Sequence, residues 1–392
     1  MNAKFLSFKS GVGDCLFLVL SQEDRTYSIM VDCNQFTAEI EKYVVDDLAC
    51  HLDLLIVTHV DSDHVKGIIN MLKKHPNLQI EKIIFNCFQC SDGAAVDFEV
   101  DKDMLNQIKS FVSLDGMGVS QISVNQIATL ASLVIKNKSW FDAWEKIPIT
   151  DETEDLKLGT DGEWGTIRWL SPSRDYLDRL YSIEFVKCYN RYFHKLPPES
   201  GFKNQEEVYE VLIEMADKVK INKTNTHIGT TKFSISQFEH LKMEGIDESS
   251  ISIPNQASLA FEWVLGDKSI LFLGDSLASV VENSLRKHYS CKHVYDVIKI
   301  SHHGSAFNTS VNLCLIVDSS HFFVAGGNKN DKPSASALAK ILCRSTSDGI
   351  DSRTLHFSNA ENAVIKWLQS EDAKDLREKY KFNMEETNYV EV

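Results

Sequence analysis

The segment Thr58-His59-Val60-Asp61-Ser62-Asp63-His64 places four side chains that can bind metals within six positions. It directly follows the apolar run Leu54-Leu55-Ile56-Val57, which is typical of a buried strand. Two imidazoles and two carboxylates on a tight turn suit Zn, Mn or Fe, because these metals accept mixed nitrogen and oxygen coordination. A solvated acidic turn is the simpler alternative, but such a turn needs neither the histidines nor the strand. We therefore interpret His59, Asp61, Asp63 and His64 as metal ligands.

Two later segments show the same arrangement, in which polar side chains directly follow an apolar strand. Residues 271–273 precede Gly274-Asp275, and residues 297–300 precede Ser301-His302-His303-Gly304. Each of these turns is common by itself, and it is their occurrence together with the first motif that indicates a function. Because three strand ends can converge on one pocket, we expect Asp275 and either His302 or His303 to join the metal site.

Composition describes an ordinary globular protein of 392 residues, 43% of them apolar and 25% charged. This length predicts two or three domains, or one domain with a long insertion. No apolar run approaches the roughly 20 residues that span a bilayer, and residues 1–20 lack the pattern of a signal peptide. Nine cysteines without a Cys-x-x-Cys pair indicate reduced core residues. We therefore expect a cytoplasmic protein without a membrane partner.

Charge limits the partners. The chain has 56 acidic and 41 basic residues and a net charge of -15, which disfavours long-range attraction to a polyanion. Lys66, Lys73 and Lys74 lie close behind the metal motif and offer a local basic path. A solvated helix face is the alternative interpretation of these lysines.

The secondary structure pattern changes twice along the chain. Residues 1–90 alternate strand-like runs with helical ones, including an amphipathic helix from about Val65 to Lys74, as in a layered α/β domain. Residues 91–250 favour helices, for example over 103–114 and 205–221, with one strand-like island at 165–172. The strand pattern returns from residue 251. We predict a core of residues 1–90 and 251–370, a largely helical insertion or cap of residues 91–250, and a polar tail of residues 371–392.

As a set, the motifs resemble the metallo-β-lactamase superfamily, whose signature is His-x-His-x-Asp-His after a strand, a later bridging aspartate and a final histidine. His59 matches the first histidine, Asp63-His64 the closing pair, and Asp275 the aspartate. His302 or His303 matches the last ligand. Asp61 replaces the second histidine, and this replacement, with the His-His-Gly-Ser sequence at residues 302–305, is similar to the metallo-hydrolase domain of ComEC-type competence DNA-uptake proteins.

Three shorter matches extend the resemblance over residues 1–90 and 251–366. Gly13-Asp14-Cys15 resembles the opening turn of that subgroup, Val31-Asp32-Cys33 resembles a strand end, and the segment from Asn255 to Leu259 resembles the segment before a strand. The resemblance implies an α/β fold, the four-layer αββα sandwich of the superfamily, with one or two Zn or Mn ions. The third histidine of the family has no clear counterpart; His194, His227 and His240 are candidates by position only.

The resemblance also implies a hydrolase that uses a metal-activated water. We expect His59, Asp61, Asp63, His64, Asp275 and His302 to bind the metal, and Asp32 to support a ligand from behind. Asp61, Asp63 or Asp275 would orient the water, with Asp61 as the expected catalytic residue. His303, if it is not itself a ligand, would protonate the leaving group, and Lys332 would stabilise charge in place of a family histidine. Asn255, Ser305 and Lys66 are predicted substrate contacts, although turn and cap hydrogen bonds would also explain each of them.

The implied substrate is a phosphodiester in DNA or another nucleotide. A consistent hypothesis is a phosphodiesterase or nuclease whose cap selects a short or single-stranded end, as the effector subunit of a multi-protein system. Cap aromatics could stack bases or fill the core; they are Trp140, Phe141, Trp144, Tyr192 and Phe193. Hydrolysis of a lactone, thioester or amide is an alternative on the same fold. A degenerate metal site in an interaction subunit is another.

Overall fold

The computed structural model describes residues 1–59, 61–86, 130–180, 234–328 and 331–392. Within these ranges the chain forms two sheets. The helices predicted over 103–114 and 205–221 lie outside the described residues, as does most of the expected cap.

The first sheet has six strands in the order β14-β1-β2-β3-β4-β5, and the second has eight in the order β13-β12-β11-β10-β9-β8-β7-β6. Each sheet is mixed, with a parallel part that contains β3, β4 and β5 in one and β9 to β13 in the other. The strands are β1 (Asn2–Ser7), β2 (Cys15–Gln22), β3 (Arg25–Cys33), β4 (His51–Ile56), β5 (Gln79–Ile84), β6 (Leu156–Lys157), β7 (Thr166–Ser171), β8 (Ala260–Leu265), β9 (Lys268–Phe272), β10 (His293–Lys299), β11 (Val317–Val324), β12 (Arg353–Phe357), β13 (Phe382–Glu385) and β14 (Tyr389–Glu391).

The helices of the described residues are short, and none has both the length and the apolar content that crossing a membrane requires. They are α1 (Ala38–Lys42), α2 (Ser62–Lys74), α3 (Leu130–Lys136), α4 (Lys138–Ala143), α5 (Arg174–Leu180), α6 (Ile235–Leu241), α7 (Ile253–Gln256), α8 (Ala278–His288), α9 (Val311–Ile316), α10 (Ala335–Leu342), α11 (Ala363–Gln369) and α12 (Lys374–Tyr380). A π-helical turn, Tyr43–Asp47, extends α1.

Alternating side chains divide the core into three layers of apolar contact. Along β3, Ile29 and Val31 pack between the two sheets, whereas Met30 packs beneath the helices of the first sheet. Along β11, Phe323 lies between the sheets and Phe322 lies under the helices of the second sheet. Because strand side chains alternate between faces, each sheet buries both surfaces. The result is the four-layer αββα sandwich that the resemblance implies.

Helix α2 begins three residues earlier than the sequence pattern predicted, at Ser62 rather than Val65. The pattern concealed this first turn because Asp63 and His64 break its apolar periodicity. A carboxylate is nevertheless favourable in a first helical turn, where the helix dipole is positive. The helix therefore holds Asp63 and His64 in a rigid element that directly follows the end of β4.

Part of the predicted insertion belongs to the sandwich. The strand-like island at 165–172 is observed as β7, which pairs with β8 and carries β6 at the sheet edge. Helix α4 lies against β5, where Trp140 donates a hydrogen bond to the carbonyl of Leu78 at 2.9 Å. Trp144 is also buried, stacked on Phe85 at 5.0 Å. These two tryptophans fill the core; Tyr192 and Phe193 lie outside the described residues.

Residues 371–392 differ from the predicted polar tail, because they contain α12, β13 and β14. Strand β13 pairs with β12 in the second sheet, and β14 pairs with β1 in the first. The segment is polar because both strands are short and lie at sheet edges, where most side chains meet solvent. Leu376 and Phe382 are buried and attach it to the core.

A buried ion pair connects two strands of the second sheet. Asp318 at the start of β11 accepts hydrogen bonds from Nε and Nη2 of Arg353 on β12 at 2.9 and 2.8 Å. Arg344 donates to the same carboxylate at 3.0 Å. Burial opposes ionisation, but these two arginines outweigh it and hold the pKa of Asp318 well below its usual range. The carboxylate therefore stays charged while it is enclosed.

We expect Asp318→Asn to destabilise the fold by about 3–5 kcal/mol, because it leaves Arg353 buried without its counter-charge. The pKa of Asp318 is depressed in the folded state, so its contribution to the free energy of unfolding is present above about pH 4. This contribution is lost as the pH falls further. Urea unfolding at pH 7 and at pH 3 tests both statements. Equal loss of stability on acidification in the variant and in the original protein would contradict the assignment.

Candidate metal centre

The polar residues predicted from the sequence meet where the strands of both sheets end. His59 follows β4, and Asp275 follows β9. Two backbone hydrogen bonds hold these ends in place: Leu259 N donates to the carbonyl of Thr58, and His302 N donates to the carbonyl of Gly274, both at 2.9 Å. The first bond joins the two sheets directly. The geometry of the site therefore depends on both sheets.

One group of ligand atoms, within 4.8 Å of one another, consists of His59, His64 and Asp275, and Asp61 lies beside His59. The Nε2 atom of His59 lies 3.7 Å from Oδ2 of Asp61 and 4.0 Å from Oδ2 of Asp275. All four side chains are buried. Asp61 occupies the N-cap position of α2, but its carboxylate does not cap the helix, as an aspartate there usually does. Its carboxylate lies beside His59 instead.

The second group consists of Asp63, His64 and His303, with ligand atoms within 4.8 Å of one another. Oδ2 of Asp63 lies 3.9 Å from Nε2 of His64 and 3.2 Å from Nε2 of His303. His64 and His303 are buried, and Asp63 is partly exposed. The structure thus brings His303, rather than the predicted His302, into this group.

Asp275 connects the two groups. Its Oδ1 atom lies 3.4 Å from Nε2 of His64, whereas its Oδ2 atom faces Nε2 of His302 at 3.3 Å and Nε2 of His59 at 4.0 Å. The two carboxylate oxygens therefore face different histidines. This is the arrangement that a carboxylate between two metal ions requires.

Asp32 fixes the orientation of His64 from behind. Its Oδ2 atom is 2.8 Å from Nδ1 of His64 and accepts a hydrogen bond from the hydroxyl of Thr58 at 2.6 Å. Its Oδ1 atom accepts from Thr58 N at 2.7 Å. Because a carboxylate only accepts, Nδ1 of His64 carries a proton, and Nε2 is the ring atom that faces the site. The hydroxyl proton of Thr58 points to Asp32, so the Thr58 oxygen at 3.1 Å is an acceptor for Nδ1 of His59.

Asn308 performs the same task for His302. Its side-chain NH2 donates to the carbonyls of Asp275 and Ser276 at 2.9 and 3.0 Å, which leaves its oxygen facing His302 Nδ1 at 2.9 Å. His302 therefore donates from Nδ1 and directs Nε2 toward Asp275. A hydrogen bond of this type orients the ring and increases the basicity of a metal-binding imidazole.

His303 is held by Asp14, Ala325 and Lys299. Its Nδ1 atom lies 3.0 Å from the carbonyl of Ala325 and 3.1 Å from Oδ1 of Asp14. The ammonium of Lys299 forms a buried ion pair with the other Asp14 oxygen. Burial opposes the charge of Asp14, but Lys299 and His303 outweigh it and lower the pKa of Asp14 to about 2. Nδ1 of His303 thus carries its proton, and Nε2 faces Asp63.

The backbone takes unusual conformations to present these side chains. His302 and His303 have φ values of 48° and 54°, in the left-handed region that residues with a Cβ rarely adopt. The two residues form a turn that follows the end of β10. This turn directs the imidazole of His302 toward Asp275 and that of His303 toward Asp63. Gly13 makes a close approach, since a Cβ there would lie 1.7 Å from the carbonyl oxygen of Asp63. A larger residue at position 13 would displace Asp63.

Electrostatics keep the two histidines of the motif in different states. Burial and the neighbouring His64 lower the pKa of His59 to about 4, so its imidazole is neutral at pH 7. Burial also opposes protonation of His64, but the carboxylates of Asp275, Asp32 and Asp63 outweigh it and raise the pKa of His64. A divalent cation would replace that proton, because metal binding requires the neutral ring.

Several atoms of the cluster that could ligate a metal are buried without a hydrogen-bond partner among the described residues. They include Nε2 of His59, Nε2 of His64 and Oδ1 of Asp275. Buried polar atoms in folded proteins are almost always paired, so three that converge on one point require an explanation. They are nitrogen and oxygen ligands within 4.8 Å of one another. The donor set fits a divalent transition metal.

The remaining predicted residues lie at different distances from this centre. Asn255 donates from Nδ2 to Oδ2 of Asp275 at 3.2 Å and is the same distance from Nε2 of His302. Ser305 is buried in the turn after His303, where its N donates to the carbonyl of His302 at 3.0 Å. Lys66 is exposed on α2.

Lys332 and the histidine candidates complete this set. Burial lowers the pKa of the His302 imidazole, and the charge of Lys332 lowers it further. His240 is exposed on α6, a helix that packs against α10 on the outer side of the second sheet. His194 and His227 lie outside the described residues. Among the described residues, Asn255 lies between Asp275 and His302.

Sequence reasoning did not assign functions to Asp14, Asn308, Thr58 and Lys299. Lys299 lies within a predicted apolar strand. At 0% exposure it is a buried charge, but this is evident only when the strand is known to lie in the core. Asp14 had been noted for its resemblance alone. The contacts of Asn308 depend on a loop conformation that spacing does not reveal.

Comparisons with known proteins do not assign a family. No family model matches the chain, and no curated protein matches it. Among solved structures, the chain is similar to the metallo-beta-lactamase fold protein YhfI from Bacillus subtilis, at 11% identity over 100% of both chains with a TM-score of 0.37. It is also similar to a point mutant of the β-hydroxylase CmlA, at 10% identity over 99% of this chain and 53% of that one, again with a TM-score of 0.37. Interpretation of the site therefore rests on its own side chains.

We expect Asp32→Asn to weaken metal binding about 10- to 100-fold, the usual effect of removing the partner of a ligating histidine. The variant replaces one acceptor oxygen with an NH2 group, which cannot accept the proton of His64. Zn2+ and Mn2+ affinities measured by competition with a chelator test this expectation.

A matched control is Asp53→Asn, which changes another carboxylate that accepts backbone and hydroxyl hydrogen bonds, here from Ser28 at 2.7 and 3.0 Å. The control should retain the original affinity. Unchanged affinity in Asp32→Asn would show that Asp32 does not orient a ligand.

Proposed function

We propose that the chain is a metal-dependent hydrolase of the metallo-β-lactamase type, and that its substrate is a phosphodiester. The observation that carries the proposal is the convergence of buried, unpaired donor atoms from His59, His64 and Asp275 at the meeting edge of the two sheets. Such a cluster is costly to bury in the absence of a cation. The motif resemblance supplies the reaction type.

The charge of the centre favours two ions. Five carboxylates surround it and one ammonium, that of Lys299, offsets them; the carboxylates are Asp14, Asp32, Asp61, Asp63 and Asp275. With the imidazoles neutral, four negative charges remain, which two divalent cations would neutralise. His59, Asp61 and Asp275 would hold one Zn or Mn ion. Asp63, His64, His303 and the other oxygen of Asp275 would hold the second.

When bound, such ions lower the pKa of a coordinated water toward 7 and polarise a phosphoryl oxygen. The side chains of this protein orient the metal ligands and exclude bulk water. Asp275 connects the two groups, Asp32 and Asn308 fix the imidazole protons, and the burial of His59 and His64 keeps bulk water from their metal-facing atoms. Each ligand is thus oriented before substrate arrives.

The two consecutive histidines divide their roles by position. His303 lies with Asp63 and His64 and has little contact with solvent, which favours a ligand. The side chain of His302 is 19% exposed and faces Asp275 from the open side. We therefore propose that His303 binds metal and that His302 faces the substrate, the reverse of the assignment that the motif suggested.

One cation near the opening supports an anionic substrate. The charge of Lys332 acts on His302, and it would stabilise the anion that develops on the phosphate or leaving group. Asn255 offers a neutral NH2 group at the same place. With a net charge of -15 the protein has no general attraction for long polyanions. A short or single-stranded end, or a nucleotide, is the substrate that both observations favour, and an effector subunit in a multi-protein system fits this activity.

Metal analysis tests the centre first. We expect about one or two Zn, Mn or Fe per chain in protein purified without chelator, and loss of that metal in an Asp63→Ala, His64→Ala variant. The control is Asp351→Ala, His240→Ala, which removes the same two side-chain types from exposed positions. Absence of metal in the original protein would overturn the proposal and favour an interaction subunit.

Hydrolysis tests the substrate class separately. The metal-loaded protein should release p-nitrophenolate from p-nitrophenyl phosphodiesters. It should lose this activity when a chelator is added, because the water is then no longer activated. Single-stranded DNA, a lactone and a thioester complete the panel. Cleavage of the lactone or thioester in place of every phosphodiester would contradict the substrate and leave the metal centre intact.

A further inference from the structure

Among the described side chains of the metal centre, those of Asp63 and His302 reach solvent and the others are enclosed. The side chains of His59, Asp61, His64, Asp275 and His303 are at most 3% exposed. Those of Asp63 and His302 are 26% and 19% exposed. A substrate therefore reaches the centre across Asp63 and His302, and the residues beside these two form the rim of the opening.

Val12 lies on the rim next to Asp63. Its neighbour Gly13 packs against the backbone carbonyl of Asp63, and its own carbonyl accepts a hydrogen bond from Gly327 N at 2.7 Å. The backbone on each side of Val12 is thus fixed, yet its side chain is 53% exposed. An apolar group is held at this edge with half of its surface in water.

Phe307 belongs to the loop that follows His302 and contacts it through Ser305 and Asn308. Its loop is tied down at both ends, since Ser305 N donates to the carbonyl of His302 and the Asn308 side chain binds His302 Nδ1. Phe307 N donates to the hydroxyl of Ser305 at 3.3 Å. Ser305 and Asn308 are buried, whereas Phe307 is 47% exposed. The loop therefore presents one aromatic ring on a fixed backbone.

The two side chains differ from other exposed apolar residues by their attachment. Single exposed apolar residues are common and require no explanation. Val12 and Phe307, however, come from separate loops, and each loop contacts one of the two partly exposed residues of the metal centre. Lys332 adds a positive charge near His302. The rim thus combines a cation for an anionic group with apolar surface for a ring.

We propose that the substrate carries a planar ring next to the scissile phosphate, and that Phe307 stacks on this ring with Val12 at the opposite edge. The inference rests on the proposed phosphodiester hydrolysis and names its substrate class. Nucleotide bases and aryl groups share the required chemistry. Stacking on an aromatic side chain tolerates either, because each has a flat π face.

Three substrates with the same p-nitrophenyl leaving group test the proposal; their second ester group is thymidine, phenyl or methyl. All three esters carry the p-nitrophenyl ring, so differences between them report the second ester group. We expect the metal-loaded protein to favour the thymidine and phenyl esters over the methyl ester about tenfold through KM, the scale of stacking one ring. Phe307→Ala should remove this preference. Phe307→Tyr, which keeps a ring, should retain it. Met243→Ala changes an exposed apolar side chain remote from the centre and serves as the control.

Binding provides a readout that does not depend on turnover. Calorimetry should show that thymidine monophosphate binds about tenfold more tightly than methyl phosphate to the original protein, and equally in Phe307→Ala. A preference for thymidine over phenyl would assign a nucleobase, and equal preference would assign any aryl ring. An unchanged ring preference in Phe307→Ala would overturn this inference alone. If the original protein cleaves none of the three esters, the proposed function is overturned, and this inference with it.

Discussion

Burial of four carboxylates beside a fifth, partly exposed one at an edge of two packed sheets is the constraint on which this structure depends. One lysine, Lys299, is enclosed with them, and its ion pair with Asp14 neutralises a single charge. Isolated charges are expensive in a protein interior, so the remaining carboxylates must be paired, hydrogen-bonded or bound to cations. The polar contacts around the centre serve this requirement, from the hydroxyl of Thr58 on Asp32 to the amide of Asn308 behind His302.

The sequence allowed prediction of those residues that follow strands directly. His59, Asp275 and His303 each stand after an apolar run, and parallel strands bring their carboxyl ends to the same edge. The partners behind them were harder to predict. Asn308 contacts His302 only because the loop between them folds back, and Asp14 meets His303 from the turn before β2, almost 290 positions away. Pairing across such separations is a property of the tertiary fold and leaves no local periodicity.

The limits of the core were predicted less well than its strands. Polar composition suggested that residues 371–392 were outside it, yet short edge strands are polar because one side of each remains in water. Similarly, β7 was recognisable as a strand, but its place beside β8 depends on a pairing between residues about 95 positions apart. Local pattern thus predicts an element and its type, whereas the boundary of a domain depends on where the element finds its partner.

The left-handed turn at His302 and His303 has a consequence for evolution of the site. Two consecutive residues with a Cβ occupy a conformation that glycine would adopt at lower cost. Because their side chains diverge toward Asp275 and Asp63, an insertion or deletion of one residue here would exchange the two directions and misplace both rings. Drift in this turn is therefore restricted to substitution at constant length. By contrast, the side chain of Phe307 in the adjoining loop is 47% exposed, and its replacement would leave the conformation of the turn unchanged.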